Sequence, residues 1–153
     1  MNIVKRLDQY REYNIYFCEP IKNNVMNEGN FIRILYSNSI FILNGIYLVF
    51  VLNINSIERY YNKYKCNFDL SLHRDMIDKI KQIEEGLLKK IIIKNKIPQF
   101  KISDQLKNGN IKIFSDNIEN IENNCNFLLK ISGIWETETN YGVTYKFIKI
   151  TDT

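Results

Sequence analysis

The most constraining stretch is Phe127-Leu-Leu-Lys-Ile-Ser-Gly-Ile-Trp-Glu-Thr-Glu-Thr-Asn-Tyr-Gly-Val-Thr-Tyr-Lys-Phe-Ile-Lys-Ile150. Apolar side chains recur at every second position: Phe127, Leu129 and Ile131, then Val143, Tyr145 and Phe147. Successive residues of a strand point to opposite faces, so this period predicts two half-buried strands joined by a short polar turn. The intervening positions are Lys130, Ser132, Thr144 and Lys146. Such a hairpin suits a sheet that covers a core on one side and meets a polyanion on the other. By strand parity Trp135 and Tyr145 fall on the apolar face and the lysines on the other. One groove holds both sets only if Gly133 or Gly142 marks a bulge that switches the alternation.

Further strands are expected at residues 13–18, 31–36 and 39–54. The first stops at Glu19-Pro20, because proline cannot continue a ladder. Asn44-Gly45 between apolar β-formers signals a tight hairpin turn, which predicts an antiparallel meander from 31–36 through 39–43 to 46–54. Both faces are apolar near Leu48 to Leu52, so that part is expected at the centre of the core. Residues 57–68 mix Tyr60, Tyr61 and Tyr64 with Arg59, Lys63 and Lys65. As a loop they could stack bases and pair phosphates. As a strand or helix their tyrosines would cover the core.

Leu72, Met76, Ile80, Ile83, Leu87 and Ile91 repeat at three- and four-residue steps and predict a helix over 70–94, capped by Asp69 or Ser71. Lys89, Lys90 and Lys94 near its C-terminal end suit the helix dipole. Residues 98–116 read as an extended piece, a turn at Asn108-Gly109-Asn110 and a strand at 111–114. Residues 115–126 read as a polar surface loop. The resulting order of three strands, a helix and further strands predicts a mainly β fold, an OB-like barrel with one central helix between its third and fourth strands. The whole chain, 1–153, is read as one domain.

Composition bounds the chemistry. Hydrophobic residues make up 45% and aromatics 13%, which is globular. A net charge of +4 permits nucleic-acid binding without demanding it. Three cysteines, Cys18, Cys66 and Cys125, are odd in number and far apart, so a reducing, intracellular compartment is expected. The N-terminus is charged, and the longest apolar run, 46–52, is far short of a membrane span, so no membrane partner is expected. His73 is the only histidine, and no nucleophile, phosphate-loop, dinucleotide or zinc motif occurs. The chain is therefore read as a non-enzyme without cofactor or metal.

Binding remains. Single strands are held by bases stacked on aromatics and phosphates tracked by Lys and Arg. The strands offer Arg33, Tyr36, Tyr47, Lys112, Lys130, Trp135, Tyr145 and Lys146. Arg33, Lys112, Lys130 and Lys146 would meet phosphates, and Tyr47, Trp135 and Tyr145 would stack. The competing reading puts Trp135 and Tyr145 in the core and the lysines in solvent. Like charges directly opposite across a ladder repel, so a bound anion would stabilise Lys130 and Lys146 if their strands pair in that register.

The stretches 108–114, Leu129-Lys-Ile-Ser-Gly-Ile-Trp-Glu136 and Tyr141-Gly-Val-Thr-Tyr-Lys-Phe147 resemble OB-fold single-stranded-DNA-binding proteins of nucleocytoplasmic large DNA viruses. The layout is also similar to phage T7-type single-stranded-DNA-binding proteins. The resemblance covers about the last third of the chain and the general order of elements. An abundance of Asn, Ile, Lys and Tyr with no alanine fits the AT-rich codons of such sources. The resemblance implies a viral protein that binds single-stranded DNA in replication, recombination or repair, in host cytoplasm or nucleus. The phage-type proteins end in an acidic tail that recruits partners. This sequence closes on Lys149-Ile-Thr-Asp-Thr153, so no tail-mediated role is expected. Single-stranded DNA or RNA is thus the expected partner, with a homo-oligomer left open. The alternative is a non-enzymatic structural or assembly subunit of a viral or multiprotein complex.

Overall fold

A computed structural model describes residues 5–22, 29–38, 40–114 and 124–150. Strands β1 (Lys5–Arg6), β2 (Ile15–Phe17), β3 (Ile21–Lys22), β4 (Asn30–Ser37), β5 (Ile42–Leu43), β6 (Ile46–Tyr60) and β7 (Lys63–Phe68) precede helix α1 (Arg74–Ile91). Strand β8 (Ile97–Gln99), helix α2 (Lys101–Lys107), β9 (Asn110–Phe114), β10 (Asn124–Glu136) and β11 (Asn140–Lys149) follow.

Five of these strands close on themselves. Around the ring β6 pairs with β7, β7 with β9, β9 with β11, β11 with β10, and β10 returns to β6. The β9–β11 pairing is parallel and the other four are antiparallel. This is a closed OB-like barrel, in which each of the five strands pairs with two others of the ring. The 15-residue β6 serves two neighbours, β10 along residues 46–53 and β7 along residues 54–60. A register shift between Ile54 and Ser56 marks the bend between the two halves.

Alternation fills the barrel. Leu48, Phe50 and Leu52 point inward with Cys66, Ile113, Phe127, Leu129 and Phe147, all buried. The Phe50 ring lies 6.1 Å from that of Phe127 and meets Phe147 edge-on at 5.9 Å. Val49 and Val51 face outward, and Val51 is 50% exposed. The expectation of a strand apolar on both sides, at the centre of the core, is corrected here. β-branched side chains suit a strand on either face, so composition alone did not distinguish them.

Helix α1 buries Ile80, Ile83, Leu87 and Leu88, close to the predicted stripe. Residues 70–72 form a separate 3₁₀ turn, and Asp69 accepts hydrogen bonds from the backbone N–H and hydroxyl of Ser71 at 2.9 and 2.7 Å. Helix α2 replaces part of the extended piece expected after Pro98. Its seven residues are too few to be helical alone. A buried carboxylate from α1 compensates. Glu84 accepts from the backbone N–H groups of Ile102 and Ser103, each at 2.9 Å, and from the Ser103 hydroxyl at 2.6 Å. These are donors that a helix start leaves without intrahelical partners.

Two further expectations change. β5 pairs with β4, whereas β6 lies along β10 and β7, so Asn44-Gly45 redirects the chain and no β5–β6 ladder follows it. Gly45 has φ 120°, and a Cβ there would come within 2.8 Å of the Ile131 carbonyl oxygen. Residues 55–68 form a β-hairpin, so the helices fall between the second and third barrel strands and not between the third and fourth. Strands β2, β3 and β5 all pair with β4, which in turn lies against the end of β10 from Gly133 to Glu136. The loop expected at 115–126 lies outside the described residues except at its end.

Candidate functional site

Ser132 is the pivot of the outer surface. The β10–β11 register runs through Ile131↔Tyr145 and resumes at Gly133↔Thr144, which leaves Ser132 without an opposite partner. One extra residue reverses the alternation. Before it Phe127, Leu129 and Ile131 are buried, and after it Ile134 is buried. Lys130 and Trp135 therefore share the outward face. The bulge that a joint aromatic and lysine surface requires is present, at Ser132 and next to Gly133.

Directly opposed residues share a face, so the registers build this surface in rows. The first row is Phe31, Trp135 and Gly142, on β4, β10 and β11. The second is Arg33, Gly133 and Thr144. The third is Tyr47, Lys130 and Lys146, on β6, β10 and β11. β9 runs parallel to β11 with Ile113 opposite Phe147, so Lys112, one residue earlier, continues the third row beside Lys146. Lys112 is opposite Lys65 on β7, and Lys65 is opposite Glu58 on the far half of β6. The row closes with a Lys65–Glu58 ion pair of 3.7 Å, its one ion pair among the described residues.

The glycines let rings lie on the sheet. A Cβ on Gly142 would stand 2.7 Å from Trp135 Cζ2, and one on Gly133 would stand 2.6 Å from Phe31 Cε2. Both rings thus lie across bare backbone. Cations accompany them: Lys101 Nζ is 4.7 Å from the Trp135 ring centre, and Lys130 Nζ is 5.7 Å from that of Tyr47. Such exposed contacts contribute about 0.5–1 kcal/mol, less than a stacked base, so a base could displace Lys101 from Trp135.

Arg33, Tyr47, Lys112, Lys130, Trp135 and Lys146 therefore all point outward from the barrel, in neighbouring rows. Two expected members do not. Tyr36 is buried, its ring 6.1 Å from Tyr10 and its hydroxyl accepting from the Arg11 backbone N–H at 3.0 Å. Tyr145 faces inward, donates to Gln105 Oε1 at 2.9 Å, and meets Phe147 edge-on at 5.6 Å. Burial pushes its hydroxyl up to about 12. Its partner is on α2, an element the sequence did not reveal. Phe31 was missed, although the alternation that exposes Arg33 places Phe31 on the same side.

The 57–68 cluster is a hairpin in which Tyr64 is buried and Tyr60 and Tyr61 are exposed. A cleft of about 510 Å³ lies beside its tip, lined by Tyr60, Tyr61, Asn62, Lys63, Lys65 and Lys112. Other polar groups are engaged in hydrogen bonds within the fold. His73 Nε2 accepts from the Asn53 backbone N–H at 3.1 Å, and burial lowers its pKa. Glu136 accepts from Lys96 and, at 3.3 Å, from Asn30, and the Lys96 ammonium holds its carboxyl below the usual range. Among the described residues no group of three or more His, Cys, Asp and Glu could hold a metal, and no helix is long and apolar enough to cross a membrane.

The fold and this surface define a class: an OB-like barrel with a basic, aromatic-bearing outer face. Comparison with known proteins finds no matching family model, no matching curated protein and no matching solved structure.

Proposed function

We propose that this protein binds single-stranded DNA or RNA along the outer face of its barrel, without strong sequence preference, and acts in replication, recombination or repair. Arg33, Lys112, Lys130 and Lys146 meet phosphates, while Trp135, Phe31 and Tyr47 receive bases. The observation that carries this reading is the directly opposed pair Lys130 and Lys146 on the outer surface of β10 and β11, with Lys112 continuing their row on β9. Like charges so placed destabilise a ladder, and a phosphate between them removes that cost. The Ser132 bulge adds Trp135 to the same face.

Fluorescence anisotropy with labelled oligo-dT and oligo-U tests the reading. Binding that weakens steeply with salt and quenches Trp135 emission is expected. Absence of affinity at low salt for either oligonucleotide refutes it. A second reading, an assembly subunit without nucleic-acid affinity, is favoured by one observation. Tyr16, Ile21 and Ile42, on the small strands paired with β4, are 58%, 55% and 69% exposed. Light scattering that shows a stable oligomer, with no oligonucleotide bound, would select it.

A further inference from the structure

We infer that the cleft at the tip of the β6–β7 hairpin captures the end of a nucleic-acid strand, taking the last nucleotide with a terminal phosphate. The inference rests on the proposed single-strand binding and adds a distinct subsite to it. Three observations carry it.

The first is where the lysine row stops. From Lys130 it passes Lys146, Lys112 and Lys65, then reaches Glu58, which pairs with Lys65 at 3.7 Å and accepts from the Tyr60 hydroxyl at 3.3 Å. A carboxylate repels the next phosphate, so a strand that follows the row has no continuation past this point. The second is the cleft itself. About 510 Å³ is lined by Tyr60, Tyr61, Asn62, Lys63, Lys65 and Lys112; Glu58 neutralises Lys65, which leaves Lys63 and Lys112 to meet one multiply charged phosphate beside a base. Phe114 adds an exposed ring nearby, with Lys63 Nζ 5.2 Å from its centre.

The third is the backbone. Tyr60 is opposite Lys63, so Tyr61 and Asn62 form a two-residue turn, and Tyr61 has φ 50°. The first position of such a turn favours glycine when φ is positive. Tyr61 occupies it with a side chain 98% exposed, so folding gains nothing from the ring. A bulky residue held in an unfavourable conformation, without packing to justify it, points to a contact made with a ligand.

The test compares linear oligo-dT carrying a 5′-phosphate, a 3′-phosphate or none with circular single-stranded DNA of the same length. One of the phosphorylated ends is expected to tighten binding about tenfold, the worth of one additional charge-assisted contact. Tyr61→Gly and Lys63→Gln should each abolish that gain and leave affinity for the circle unchanged. The melting temperature of Tyr61→Gly should be equal to or above that of the parent, because glycine relieves the positive φ. Equal binding of linear and circular strands, insensitive to terminal phosphate and to Tyr61→Gly, overturns the end-capture inference and leaves single-strand binding standing. Failure of every strand to bind overturns both.

Discussion

Lys146→Gln separates phosphate binding from mere surface charge. The row Lys130, Lys146, Lys112 and Lys65 crosses four of the barrel's five strands, spaced about 4.8 Å apart, so it follows the barrel's circumference for about 14 Å, a path for a few consecutive phosphates. Glu58 neutralises Lys65, which leaves Lys112, Lys130 and Lys146, with Arg33 one row away. Four cations on a single strand give a slope of log affinity against log salt of about −2.8. Affinity should then fall about 600-fold for a tenfold rise in salt. Removing Lys146 should bring the slope to about −2.1, a fall of about 130-fold over the same range. The same change relieves the repulsion with Lys130, so the free protein should gain a few tenths of a kcal/mol, about 0.2–0.5, in urea denaturation. The assay is anisotropy with labelled oligo-dT at several salt concentrations, with Lys79→Gln on α1 as control. A Lys146→Gln slope equal to the parent's would refute a phosphate contact at this position. So would an equal loss of slope in Lys79→Gln.

Gly142→Ala places a Cβ 2.7 Å from the Trp135 ring and must displace it from the sheet, so tryptophan emission should shift to the red and oligo-dT affinity should fall, which steady-state fluorescence measures. Glu84→Ala leaves two backbone N–H groups and the Ser103 hydroxyl without their buried acceptor and should cost about 3 kcal/mol in urea denaturation, with α2 the first segment to lose amide protection. The Lys96–Glu136 contact lowers the folded-state pKa of Glu136, so its stabilisation is complete above the ordinary glutamate pKa and is lost as pH falls through the lowered value. Thermal melts of Glu136→Gln against the parent should therefore differ near neutrality and converge in acid.

Legibility in the sequence followed the range of the interaction involved. Period-two alternation identified β10 and β11, and period-3.6 alternation identified α1, because each pattern needs only the residue's own element and one buried side. The hairpin of β6 and β7 was ambiguous for a local reason. Tyr60 and Tyr61 stand at an exposed tip and Tyr64 lies inside, yet all three occur within five residues. Helix α2 was hidden because its stabilising carboxylate, Glu84, lies 18 residues before its nearest partner, Ile102. No local signal carries that pairing.

For the candidate site, the sequence alone determined that Lys130 and Lys146 lie on the face opposite Leu129 and Phe147, since strand geometry allows nothing else. The tertiary structure alone decided that the two lysines stand directly opposite each other, that Lys112 and Lys65 extend their row, and that Ser132 is the unpaired residue that turns Trp135 outward. It also removed Tyr36 and Tyr145, whose hydroxyls are held by partners distant in sequence. Alternation is a property of one strand. Register and bulge position belong to pairs of strands, and they are set when the whole barrel closes around its core.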